Sequence, residues 1–348
     1  MTIEFRKQEE WFSFSDNHGN DIERKTEIRF DPLTGESARL IFDPGLKIQP
    51  PDYIEASEKT GGKNCPFCSE NLQKLTPLFK SEITKQGRIS QGSAVVFPNL
   101  FPYSKHNGVV IFSDQHYVRL EEFTIEMIKD AFLAAQTYIQ RVAAIDSKAK
   151  HASINWNYLP LSGGSILHPH IQVMVSDSPS NYQRLVAEKA HAFQNDTGKE
   201  YFTQLSETEK TLEERWIGEV GDIAWIHSFA PKSHNDFLAV FSKSNSIDDV
   251  NEQDWIDFSK GLRAIFSTLD EQGFASFNLM VHISSNSELK QPIHVRLIPR
   301  LTLGFLNTSD YNFFQALHQE PLSFKLPEEI TPIARKHFVK INEKSERR

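Results

Sequence analysis

Apolar and polar side chains alternate along 165–175, "SILHPHIQVMV". Ile171, Val173 and Val175 fall on one side, and His168, His170 and Gln172 on the other. The period of two and the β-branched residues predict a strand. Pro169, without an N–H, suits its start. The glycines of "LSGGS" predict a turn feeding it. Similar runs predict strands at 93–97 and 108–113, in "ASINWNYL", and as a pair around the Pro/Gly turn of 27–42. Between them, 124–145 carries apolar residues at helical spacing, with Thr124 and Glu126 at its start. The polar stretch after "HIQVMVSD" reads as helical.

The second half repeats this order: "DIAWIHSF" and "DFLAVFS" as strands, "EQDWIDFSKGLRAIFSTLDEQ" as a helix, then "FNLMVHIS" and "IHVRLIPRL" as strands. His106 and His234, Ser153 and Ser276, and His170 and His294 recur at nearly one spacing, which predicts a tandem duplication. The expected architecture is α+β, with antiparallel sheets and long helices in two halves, 1–200 and 201–348. The first copy keeps H-x-H-x-Q. The second has Pro292, His294 and Arg296 there, so one chemically competent centre is expected per chain. Beyond Pro321 the charged, proline-spotted tail suggests no core role.

Composition narrows the function. The 348 residues are 39% hydrophobic and 24% charged, as in soluble globular proteins. A net charge of −8 argues against nucleic acid or an anionic membrane as partner. No apolar run approaches a membrane span, and the charged N-terminus lacks a signal core, so a cytoplasmic protein is expected. The two cysteines, Cys65 and Cys68, stand as C-x-x-C in a loop-like context. That spacing fits a redox pair, half a metal site, or chance.

"SILHPHIQV" is similar to the H-P-H-x-Q signature of the galactose-1-phosphate uridylyltransferases, histidine-triad proteins built of two similar halves. "RFDPLTGE", "CPFC", "VVFPNLFP", "FSDQH" and "NYLPLSGGSILHPHIQ" resemble further family segments, in order, over most of the chain. The resemblance implies a structural zinc site of Cys65, Cys68, His116 and His168, tetrahedral and closed. It implies double displacement: His170 attacks the α-phosphorus of a nucleotide sugar, expels a sugar 1-phosphate, and a second phosphate takes the nucleotide. Gln172 is the implied amide donor. Ser165 and the N–H groups of Gly163 and Gly164 are candidates to hold phosphates, with Asn157 in the same run. Phe97, Asn99 and Phe101 match the strand near base and ribose, and a homodimer is implied.

The match also has gaps. Leu46 and Gln49, with Lys47 nearby, stand where the family carries two phosphate-binding arginines, and Leu100 where it carries a ribose-contacting acid. Of the family's second metal site only His282 and His294 match. Arg296 replaces a histidine, and the glutamate position falls near Val186 and Glu188, so no second metal is expected. Arg296 would instead bring positive charge near the substrate. "GFL" at 304–306 lacks the hexose-reading acid, which argues against galactose specificity. The expected activity is nucleotidyl transfer between a nucleotide sugar and a sugar 1-phosphate. A nucleotide-sugar or dinucleoside polyphosphate phosphorylase or hydrolase, and a silent nucleotide binder, are the alternatives.

Overall fold

The computed structural model describes residues 3–42, 48, 50–283, 291–304 and 306–346, with side chains to 341. A hairpin of β1 (Lys7–Ser15) and β2 (Asp21–Phe30) leads to β3 (Ser37–Ile41). Two short helices, α1 (Ile54–Thr60) and α2 (Ser69–Leu75), flank the C-x-x-C loop. Then follow β4 (Ile89–Gln91), β5 (Ala94–Pro98), β6 (His106–Ile111), α3 (Ile125–Ile145), β7 (His151–Tyr158) and β8 (His170–Ser176). The polar stretch forms α4 (Asn181–Thr197) and α5 (Tyr201–Leu212). The second half supplies β9 (Trp216–Val220), β10 (Ile223–His227), β11 (Phe237–Phe241), α6 (Glu252–Glu271), β12 (Ser276–Ile283), β13 (His294–Arg300) and α7 (Pro327–Glu346).

Ten strands form one antiparallel sheet in the order β4-β5-β6-β8-β7-β12-β13-β11-β10-β9. The order is mirrored about the β7–β12 seam, as expected of two like halves. Each half lays a long helix, α3 or α6, on the same face of the sheet. Their helical period follows from their caps and apolar stripes. Thr124 Oγ1 accepts from Met127 N at 3.1 Å, and Asn251 Oδ1 accepts from Gln253 N at 2.8 Å. Ile128, Phe132 and Ala135 of α3 and Phe258, Leu262 and Ile265 of α6 are buried. Gln136 ties the pair: it donates to Ile247 O and Val250 O and accepts from Trp255 Nε1 at 2.6 Å.

Alternation in β8 works as the pattern predicts. Ile171, Val173 and Val175 enter the core beneath α3, and His170 and Gln172 stay half-buried on the opposite face. On that face, α4 and α5 cover the second half through Val186, Tyr201, Phe202 and Leu205, packed on Ala224, Ile226, Leu238 and Val240. The tail departs from expectation. Its residues form α7, which buries Ile330, Ala334 and Phe338 in the main core. Glu328 of α7 also reaches Arg29 Nη1 at 2.9 Å and Arg215 Nη1 at 2.7 Å. Among the described residues, no helix is long and apolar enough to cross a membrane.

Candidate active site and metal centre

Cys65, Cys68, His116 and His168 converge, with ligand atoms all within 4.8 Å of one another. Cys68 Sγ lies 3.6 Å from His116 Nδ1 and 3.7 Å from His168 Nδ1, and Cys65 Sγ lies 3.9 Å from His168 Nδ1. A tetrahedron with ligands about 2.0–2.3 Å from its centre has edges of roughly 3.3–3.8 Å, so this donor set fits one metal ion and leaves no open position. The outward nitrogens are held. His168 Nε2 donates to Ser113 O at 2.8 Å, which turns the Nδ1 lone pair to the centre, and Thr60 Oγ1 is 3.0 Å from His116 Nε2. Burial pushes the Cys65 thiol up to about 11 and the His168 imidazole down to about 4. A bound cation would favour the thiolate instead.

Two residues on, His170 Nδ1 lies 2.8 Å from the carbonyl oxygen of His168. With Nδ1 donating there, Nε2 keeps its lone pair. Burial lowers the His170 pKa and outweighs that hydrogen bond, which acts to raise it. Phe67, between the cysteines, sets its ring edge-on to His170 at 5.3 Å and tilts onto Phe97 at 5.3 Å. The C-x-x-C loop therefore packs directly on the histidine.

The other sequence-derived candidates fall in different places. Ser165 is exposed and borders a cavity of about 320 Å³ beside Tyr53, Thr60, Cys65 and His116. Gly163, at φ 90°, and Gly164 make the expected turn, but their N–H groups are already used. Gly163 N donates to Pro160 O at 2.9 Å and Gly164 N to Leu159 O at 3.1 Å. They are closed to phosphate in this conformation. Phe97 is buried with Leu72, Val109 and Ile111, whereas Phe101 is exposed. Asn99 Nδ2 donates to Asn107 Oδ1 at 2.9 Å and to Gln172 Oε1 at 3.3 Å.

Arg296 does not join this centre. It lies across the seam on β13, 3.2 Å from Asp236. The registers also revise the repeat. With Ser153 matched to Ser276, the pairings Ser153 with Met174 and Ser276 with Arg300 place Arg296 where the first half has His170, and His294 where it has His168. His294 instead stacks on His282 at 4.5 Å and on Phe202 at 4.1 Å. Val186 is buried and Glu188 is exposed. Leu46, Lys47 and Gln49 lie outside the described residues, as does Phe305 of the "GFL" run. Leu100 and Leu306 are exposed, and neither offers an acid.

Sequence reasoning missed Phe67 and Asn278. Phe67 stands inside the C-x-x-C that marked the loop. Asn278 Nδ2 donates to Asn157 Oδ1 and to Ser162 O, each at 2.8 Å. Its only sequence signal is the "SFN" echo of "SIN".

No profile of a known protein family matches the chain. A protein of uncharacterised function from Archaeoglobus fulgidus is 29% identical over 327 residues, covering 94% of this chain and 96% of that one. Among solved structures, a GalT-like protein from Arabidopsis thaliana has a TM-score of 0.68 at 18% identity, over 88% of this chain and 98% of its own. An ADP-glucose phosphorylase from the same plant, with bound ADP-glucose, has a TM-score of 0.68 at 18% identity, over 89% and 98%. A uridylyltransferase has a TM-score of 0.65 at 17% identity, over 90% and 98%. At these identities the likeness is one of fold, and the resemblance read from the motifs is borne out at that level.

Proposed function

From a chain that has the fold of the GalT-like proteins and uridylyltransferases, we propose a nucleotidyltransferase that works through His170. It moves a nucleoside monophosphate between a nucleotide sugar and a phosphate acceptor, either a sugar 1-phosphate or inorganic phosphate. His170 Nε2 attacks the α-phosphorus, the P–O bond to the sugar 1-phosphate breaks, and a nucleotidyl-histidine remains. The acceptor phosphate then displaces the histidine in a second in-line step. The observation that carries this reading is the 2.8 Å contact of His170 Nδ1 with its own strand, which leaves Nε2 as the free nucleophile. Gln172 beside it supports charge stabilisation on the phosphoryl oxygens. Zinc suits the two-thiolate, two-imidazole set, in a structural role that holds the start of β8.

The absence of an acid at Leu306 supports an acceptor other than galactose 1-phosphate. The test is the intact mass of the protein after incubation with UDP-, ADP-, GDP- and dTDP-sugars. The expected result is one nucleoside monophosphate added to the wild type and none to His170→Asn. The phosphate that discharges the adduct then identifies the acceptor. An adduct that persists in His170→Asn would assign the nucleophile elsewhere.

A further inference from the structure

A transferring phosphate carries charge that the site must meet with donors, and the two glycine N–H groups of the turn are spent. Two side-chain amides on the face of His170 remain. Gln172 is two residues along β8. Asn155 pairs with Gln172, and the same register carried two residues further sets Asn157 beside His170. In both amides the oxygen is occupied: Asn99 Nδ2 donates to Gln172 Oε1 at 3.3 Å, and Asn278 Nδ2 to Asn157 Oδ1 at 2.8 Å. An amide whose oxygen is held cannot turn over without losing that bond. The N–H groups of Gln172 Nε2 and Asn157 Nδ2 therefore keep their orientation. Neither has a protein partner among the described residues.

Asn278 is itself fixed. Its second N–H goes to Ser162 O at 2.8 Å, inside the glycine-rich turn. Its oxygen lies 3.5 Å from Arg300 Nη1, and Asp310 grips that guanidinium from 3.0 Å at Nε and 2.8 Å at Nη2. The chain Asp310–Arg300–Asn278–Asn157 thus runs from the second half of the molecule to the strand beside the proposed nucleophile of the first. It delivers orientation and no net charge, since Asp310 neutralises Arg300.

Resting on the reading of His170 above, we propose that Asn278 is a positioning residue. It locks the Asn157 amide with its N–H donors toward the transferring phosphate, and the half without a nucleophile thereby completes the active site. The site binds its phosphates by neutral amide donors set by other amides.

Asn278→Asp tests this. A carboxylate still accepts from Arg300 but has no N–H, so Asn157 turns to donate to it and presents its oxygen to the phosphate. Adduct formation is expected to slow about 10- to 100-fold. In an Asn157→Ala background the same change is expected to cost no more than about 2-fold, because the amide it acts through is gone. Through-space repulsion by the new charge would persist in that background and would overturn the proposal. Asn278→Ala, which adds no charge, is expected to give a smaller loss that also vanishes with Asn157→Ala. It serves if the aspartate variant fails to fold.

Calorimetric titration of the same variants with ADP and UDP separates the two readings. Diphosphate binding weakened by Asn278→Asp only when Asn157 is present, with no adduct in the wild type, upholds the amide clamp and removes the covalent mechanism. A normal adduct rate in Asn278→Asp removes the clamp and leaves the mechanism. A wild type that forms no adduct and binds neither diphosphate overturns both.

Discussion

In the proposed mechanism the reactivity of His170 comes from a contact with its own strand: one ring nitrogen is committed to the His168 carbonyl, which leaves the other for attack. His170→Ala should abolish nucleotidyl adduct while leaving metal content at the wild-type level, as metal analysis beside intact mass would show. Gly164 is equally constrained. A Cβ there would meet Asn157 O at 2.8 Å and Leu159 O at 3.0 Å, both backbone atoms that cannot step aside. Gly164→Ala should destabilise the protein by about 1–3 kcal/mol. It should also slow adduct formation by moving the turn that Asn278 holds, and denaturant unfolding beside the adduct rate would record both effects.

Among the elements, the C-x-x-C loop bears most directly on the site. Its Phe67 rests on His170 and its cysteines meet His168, so loop and strand share one anchor. Replacing Cys65 and Cys68 together by serine should remove bound metal and lower the melting temperature by several degrees. Metal analysis and thermal unfolding check this, and unchanged stability would sink it. Elements with a clean period were legible: 124–145 was read as a helix and is α3, capped by Thr124. The cluster of Cys65, Cys68, His116 and His168 was legible through the family resemblance of the segments that carry it. The tail was not, because Pro321, Pro327 and Pro332 break its pattern. Yet Pro327 sits at the start of α7, where a missing N–H costs nothing, and Phe338 still reaches the core. Asn278 was illegible for another reason. Its role depends on the register of β12 with β7, which no local pattern records.

Across the whole molecule, distant segments meet at a buried ion cluster. Arg29 of β2, with Glu27 at 2.6 Å, and Arg215, with Glu209 at 2.8 Å, both reach Glu328 of α7. Breaking a fully buried network typically costs 3–5 kcal/mol, and the partial exposure of Glu328 reduces that. Glu328→Gln should therefore cost about 2–3 kcal/mol in denaturant unfolding. Burial pushes the Glu328 carboxyl up, but the Arg29 and Arg215 guanidiniums outweigh it and hold the pKa at about 2, below the ordinary 4.5. A folded-state pKa below the unfolded one gives stability that is full above about pH 4.5 and is lost as pH falls toward about 2. Wild type should lose stability over that window more steeply than Glu328→Gln, as melting curves against pH would test.

The mirrored sheet has a consequence for dissecting the chain. Its midline is the pairing of two eight-residue strands, β7 and β12. Cleaving the loop between α4 and α5 would leave each fragment with one of those strands as a bare edge, apolar on its core side and unsatisfied along its backbone. Such an edge templates association. Expressed singly, each fragment should aggregate. Expressed together, the two should find each other and restore the line where Asn157 meets Asn278 of the other half.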